Sequence, residues 1–216
     1  SRCPSGQSWI TATEGIGANP GDTSGKAYAP PSGCKIVARL NYGYFPSGTI
    51  PRPSQYANFA TRCGNFVAAS SNCDTWIIGN ETNLAVEWPN DGAGNLDDVT
   101  PEDYAACFKL CYNAIKARKP NDKVIVQALA PWAGPFGAGN IEGYNHPAQN
   151  YNWCDYMYRM LTAITTGADA VTPDGIALHI NSRGWDSAAL ADGPWVDAGG
   201  LTLDFSWGVR RDWIQF

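Results

Sequence analysis

Five stretches of this chain have the length of a β-strand, and each ends in polar or aromatic residues. No other feature constrains the fold as much. The sharpest is Trp76-Ile77-Ile78-Gly79-Asn80-Glu81-Thr82-Asn83, where a short apolar run closes on an amide and a carboxylic acid. An all-apolar strand of this kind suits a parallel sheet buried on both faces. The other four are residues 8–15 with Glu14 near the end, 35–44 running into Asn41 and Tyr44, 123–130 ending at Pro131-Trp132, and 174–181 with His179 and Asn181.

Helical patterns separate them. From Ser54 onward, Tyr56, Phe59, Ala60, Cys63, Val67 and Ser70 recur at three- and four-residue steps and share one face. Thr100-Pro101-Glu102-Asp103 reads as a helix start, with Thr100 as cap, Pro101 at the first helical position and acids in the first turn. Tyr104, Phe108, Cys111 and Ile115 form its buried stripe. Lys116, Arg118 and Lys119 complement the dipole, and Pro120 stops it. A third helix carries Trp153, Tyr156, Met157, Met160, Leu161 and Ile164 on one side, and residues 210–215 open a fourth. Residues 18–33, 46–53, 87–99 and 133–150 read as loops, as does the Gly-, Asp- and Trp-rich stretch after Asn181. Alternating strands and helices imply a parallel sheet. Polar and aromatic groups gathered at the C-terminal ends of its strands imply a (β/α)8 barrel of the TIM type. Such a barrel takes ~250 residues and eight strands. Five strands therefore predict one incomplete barrel domain over residues 1–216.

The 216 residues suffice for one domain with a core. Hydrophobic residues at 44% against charged residues at 16% exclude disorder. The net charge of -5 comes with no basic stripe, so nucleic acid is not an expected partner. No apolar run approaches the ~18 residues of a membrane helix. Seven cysteines include no Cys-x-x-Cys pair, which argues against zinc. Their odd number leaves at least one without a partner in the chain. One or two disulfides, for example Cys63 with Cys73 or Cys107, would suit a secreted enzyme. The alternative is that most are small buried apolar residues. Nine Trp and ten Tyr fill a core or line a groove for sugar rings. The sequence does not begin with Met, so something was removed or never included.

Breaking a glycosidic bond needs a proton delivered to the leaving oxygen and a second carboxylate near the anomeric carbon. Glu81 at the mouth of a buried strand suits the donor, and Asn80 beside it can bind a sugar hydroxyl. Residues 76–83 resemble the fourth-strand motif, Gly-Asn-Glu-Pro-Asn or close to it, of the TIM-barrel glycoside hydrolase clan that includes cellulases, mannanases, galactanases and xylosidases. The resemblance implies that Glu81 is the general acid/base and that Asn80 contacts the substrate's 2-hydroxyl. Thr82 stands where Pro is common. His179 resembles the clan's sixth-strand His, with Asn181 where a Tyr often follows. On that register the five strands are numbers two to six. The nucleophile, a Glu on strand seven, would then lie beyond Phe216, making the chain part of a larger enzyme. A barrel left open would expose strand edges for pairing with another chain.

The expected substrate-binding residues are His179, Trp132, Asn41 and Arg39. For His179 the alternative is a satisfied core histidine, and for Arg39 and Asn41 a structural bridge or cap. Asn80-Glu81-Thr82 is also a glycosylation sequon, which the strand-end position disfavours. Glu14 becomes the second carboxylate only on a different register. Glu87 and Asp186 read as solvated loop acids. The expectation is a secreted, retaining O-glycoside hydrolase acting on a plant or microbial polysaccharide, with no metal or organic cofactor. Its rivals are a non-catalytic carbohydrate-binding barrel protein and a hydrolase of another bond using Glu14 and Glu81.

Overall fold

The computed structural model describes residues 8–90, 96–130 and 153–179, and the backbone of 195–198 and 201–204. The elements run β1 (Ser8–Gly15), β2 (Cys34–Asn41), α1 (Tyr56–Ala69), β3 (Thr75–Ile78), α2 (Pro101–Arg118), β4 (Lys123–Val126), α3 (Trp153–Thr165), β5 (Gly175–Ile176), β6 (Trp195–Ala198) and β7 (Leu201–Asp204). Strands β1 to β5 form one sheet in strict chain order, every neighbour parallel. Consecutive order is the winding that a barrel uses. A doubly wound sheet would reverse direction at a switch point. Among the described residues β1 and β5 are the edges of this sheet.

Side chains on a strand alternate between faces, and burial follows that alternation. Ala38, Leu40, Trp76, Ile78, Val124 and Val126 are fully buried. Their neighbours Arg39, Ile77 and Ile125 are only partly so. The buried set faces the helices: the Phe66 ring of α1 meets Trp76 edge-on at 6.3 Å, and the Tyr104 hydroxyl of α2 donates to the Ile78 carbonyl at 2.8 Å. Among the described residues the expectation of burial on both faces therefore holds on the helix side only. The described residues put no second layer over Ile77 and Ile125.

The helical stripes read from sequence supply the core. Phe59, Cys63 and Val67 from α1, Phe108, Cys111 and Ile115 from α2, and Trp153, Met160 and Ile164 from α3 are all fully buried. Helix α2 starts on a complete capping box. The Thr100 hydroxyl accepts from the Asp103 amide, and the Asp103 carboxylate accepts from the Thr100 amide. At Gly64 the two helices come so close that a Cβ would stand 2.9 Å from the Ala114 carbonyl oxygen.

Several expectations need correction. β1 spans the expected residues, but β2 to β5 stop earlier than the stretches read as strands. β2 ends at Asn41 because the chain turns back at once, the Tyr42 amide donating to the Thr49 carbonyl at 2.7 Å and Gly43 to Gly48 at 3.0 Å. The long run 174–181 yields only the two residues of β5, which meet β4 at Ile125 and Val126 alone. The stretch after Asn181 is not all loop: β6 and β7 pair antiparallel, with Ala198 opposite Leu201. Gly199-Gly200 between two such runs is the hairpin signal. The proposed disulfides are not formed. Cys63, Cys73, Cys107 and Cys111 are free thiols, and all four are buried. They pack as small apolar side chains. Residues 210–215 lie outside the described residues. No described helix is long and apolar enough to cross a membrane.

Candidate functional site

Polar residues at the C-terminal ends of β1, β2, β3 and β5 meet at that end of the sheet. Past Ile78 the backbone leaves strand geometry but stays bonded to both neighbours. The Gly79 amide donates to Leu40 of β2 and the Glu81 amide to Ala128 beyond β4, each at 2.9 Å. Gly79 and Glu81 both take positive φ, +72° and +44°. Glycine adopts this region freely, whereas glutamate does so at a cost. These two residues swing Asn80 and Glu81 out of the strand and over its end. A left-handed residue that is not glycine, held by two flanking strands, is the sort of local cost that functional sites carry.

Glu81 is gripped on both carboxylate oxygens. Oε1 lies 2.5 Å from His179 Nδ1, and Oε2 accepts from Asn80 Nδ2 at 3.4 Å. The side chains of Glu81 and His179 are 18% and 30% exposed, buried enough to be held and open enough to be reached. Asn80 is itself buried. Its Oδ1 accepts from Arg39 Nη1, and its carbonyl accepts from the Thr49 hydroxyl at 2.9 Å. Arg39 Nη2 also donates to the Thr13 hydroxyl at 3.1 Å. The Thr13 carbonyl accepts from the Tyr44 hydroxyl at 3.3 Å. One connected line thus runs Tyr44, Thr13, Arg39, Asn80, Glu81, His179. Asn41 is almost wholly buried, and its Oδ1 has no hydrogen-bond partner. Arg39 Nε is likewise without one.

Beneath this line a second set of groups fixes the turn. Thr82 is fully buried. Its amide donates to Gln127 Oε1 at 3.2 Å, its hydroxyl accepts from Gln127 Nε2 and lies 3.1 Å from the Tyr156 hydroxyl, and its carbonyl accepts from the Trp88 indole at 2.7 Å. A proline at 82 would supply neither the amide nor the hydroxyl. Asn83 binds both the carbonyl and the amide of Ala130, at 2.8 and 3.0 Å, and so ties the turn to the exit of β4.

Of the residues singled out from sequence, the structure brings together Glu81, Asn80, His179 and Arg39, with Asn41 on the same strand end as Arg39. Trp132 and Asn181 lie outside the described residues, as does Asp186. Glu14 belongs elsewhere. Its carboxylate sits 2.6 Å from Lys26 Nζ and 3.3 Å from the hydroxyl of Tyr28, whose ring packs on Trp76 on the helix side. Glu87 is the correction. It is not a solvated loop acid, since its Oε1 accepts from Asn80 Nδ2 at 3.2 Å. Burial pushes its carboxyl above the ordinary value and the charge of Glu81 adds to that, while Asn80, Arg39 and His179 pull the other way. The exposed Phe45, next to exposed Tyr44 at the exit of β2, was also not singled out. Three aromatics in Tyr42-Gly43-Tyr44-Phe45 were the available signal. Among the described residues no group of three His, Cys, Asp or Glu side chains is arranged to hold a metal ion.

A family model described only as a family of unknown function, DUF5722, matches residues 57–145. Comparison with curated proteins gives no match. Two solved structures are similar in part. One is a family 51 α-L-arabinofuranosidase from Bifidobacterium longum, at 18% identity and a TM-score of 0.38 over 73% of this chain and 28% of that one. The other is a family 39 glycoside hydrolase from the gut symbiont Bacteroides cellulosilyticus WH2, at 17% identity and a TM-score of 0.38 over 85% of this chain and 44% of that one. The chain thus spans less than half the length of either.

Proposed function

We propose that this chain carries the acid/base half of a retaining glycoside hydrolase acting on O-glycosidic bonds of a poly- or oligosaccharide. The observation that carries the reading is the setting of Glu81: a left-handed backbone at a strand end, one carboxylate oxygen on His179 and the other on the Asn80 amide. In this reading Glu81 gives its proton to the glycosidic oxygen as a carboxylate from outside the described residues attacks the anomeric carbon. The bond to the leaving group breaks and a glycosyl ester forms. Water then attacks that carbon, Glu81 takes the water's proton, and the ester oxygen leaves. His179 holds the carboxyl in one orientation. Arg39 fixes the Asn80 amide so that its nitrogen faces the carboxylate. Asn41, with an unfilled acceptor, and the exposed rings of Tyr44 and Phe45 are offered to sugar hydroxyls and sugar faces. Trp132 is proposed to join them. A polymeric substrate would place the protein outside the cell.

Replacing Glu81 with Gln keeps its size and removes the transferable proton. On a panel of aryl glycosides Glu81→Gln is expected to lose about 10²–10⁴-fold in kcat/KM, the range that general acid catalysis supplies. The loss should shrink for substrates whose leaving group needs no proton. Equal rates for variant and parent across the panel would reject the assignment.

A second reading, a non-catalytic carbohydrate-binding chain, is favoured by the same exposed Tyr44 and Phe45, which serve binding without chemistry. Saturable oligosaccharide binding by the parent, weakened by Tyr44→Ala and accompanied by no turnover of any glycoside, would select it.

A further inference from the structure

Sequence put a partner carboxylate for Glu81 beyond Phe216 or, on a different register, at Glu14, but among the described residues the carboxylate beside it is Glu87. Glu81 Oε2 and Glu87 Oε1 both accept from a single atom, Asn80 Nδ2, at 3.4 and 3.2 Å. Two oxygens that share one nitrogen cannot stand further apart than those two distances laid end to end. Asn80 has no freedom to turn away, because Arg39 holds its Oδ1. Glu87 is equally fixed. Its amide donates to the Leu84 carbonyl at 3.0 Å, its carbonyl accepts from the Thr49 amide at 3.0 Å, and the next residue, Trp88, is buried. The charged and titratable groups facing Glu87 come from three strand ends: Glu81 after β3, Arg39 on β2 and His179 after β5. Two like charges this close, on a partly buried shelf, resist being ionised together.

We infer that Glu87 is a positioning residue: it and Glu81 accept from the same Asn80 nitrogen, so Glu87 fixes that amide beside the acid and feels the Glu81 charge. Burial and the Glu81 charge hold the Glu87 carboxyl above its ordinary value, against the opposing pull of Asn80, Arg39 and His179. A carboxyl held toward its neutral form is a poor nucleophile, so Glu87 does not take the place of the attacking carboxylate. Its part is to keep the Asn80 amide seated beside Glu81 without adding a second full charge at the site. The bearing of this pair on catalysis rests on the glycosidase reading, whereas the pairing itself does not.

Two measurements on the whole chain separate these levels. The first is a titration of 13C-labelled glutamate carboxyls by NMR in the parent, Glu81→Gln and Glu87→Gln. In the parent, Glu87 is expected to titrate above the ordinary glutamate value, with a transition broadened by coupling. In Glu81→Gln, which removes the neighbouring charge, the Glu87 transition should move to lower pH. An unmoved transition overturns the pairing. The second is the pH profile of kcat/KM for parent, Glu87→Gln and Glu87→Asp. Gln keeps an acceptor within reach of Asn80, so its profile should keep the parental shape with kcat/KM within about tenfold of the parent. Asp keeps the charge but is one methylene too short to reach Asn80, so it should lose more than Gln does. An equal loss in both variants overturns the link to catalysis. A parent that hydrolyses no glycoside overturns the function reading instead, and the NMR titration then decides the pairing alone.

Discussion

Gly79 shows most directly how one residue sets this site. Its φ of +72° lies where side chains rarely go, and an added Cβ would stand 3.0 Å from Ile50 Cγ2 and 3.5 Å from the Tyr104 ring. Gly79→Ala must therefore either strain the backbone or flip it and carry Asn80 with it. The expected cost is about 1–2 kcal/mol for the left-handed conformation. It would be read as a lower midpoint in urea denaturation with an unchanged slope. Asn80 and Glu81 were legible in the sequence because an apolar run ending in Asn-Glu is uncommon and chemically specific. Glu87 was not, because nothing in Leu84-Ala85-Val86-Glu87 marks which side of a loop turns back. Its placement follows from long-range bonds that tie the Glu87 carbonyl to Thr49, far away in sequence. Thr82 gave a similar lesson. In sequence it was a departure from a motif, yet in space it answers Gln127 and Tyr156.

Elements were readable where their signals were local. Helix α2 was fixed at its start by Thr100 and Asp103 and at its end by Pro120, since capping and termination act within one turn. Strand ends were not readable, because a strand stops where its neighbour stops bonding. The short β5 is the clearest case and makes the most testable element. Its entry is fastened by Asp174, whose Oδ2 accepts from the Val124 amide at 2.8 Å and lies 2.8 Å from Lys116 Nζ. Burial by itself would raise this carboxyl, but the Lys116 ammonium and the Val124 amide outweigh it and hold it below the ordinary value. A carboxyl lowered by folding contributes stability above its unfolded value, about 3.9, and that contribution fades as pH falls through the folded value. Asp174→Asn is thus expected to be less stable than the parent at pH 7 by about 1 kcal/mol, allowing for solvent around the pair. The difference should close in the acid range below the unfolded value. Thermal melts of both proteins across pH test this, and a gap that stays constant into acid would reject the charge as its cause.

At the scale of the molecule, alternation of strand and helix was enough to read a parallel sheet wound in one direction. It could not say what covers the face of Ile77 and Ile125, because that depends on residues far from both. The cysteines show how composition misleads at this scale. Seven in 216 residues invite disulfides, yet Cys63, Cys107 and Cys111 are fully buried thiols inside the helix layer. Burial also pushes the thiols of Cys63 and Cys107 up, away from the reactive thiolate. These three sit on α1 and α2, whose packing against each other forms part of the core, so no single loop movement can expose them all. Their reaction with a thiol reagent should therefore wait on global opening of the domain. Under native conditions, with peptides read by mass, the three core thiols are expected to be modified together at one slow rate that rises with urea as global unfolding does. A core thiol that reacts well ahead of the other two, or a disulfide-linked peptide containing one, would show that the helix layer does not open as one cooperative unit.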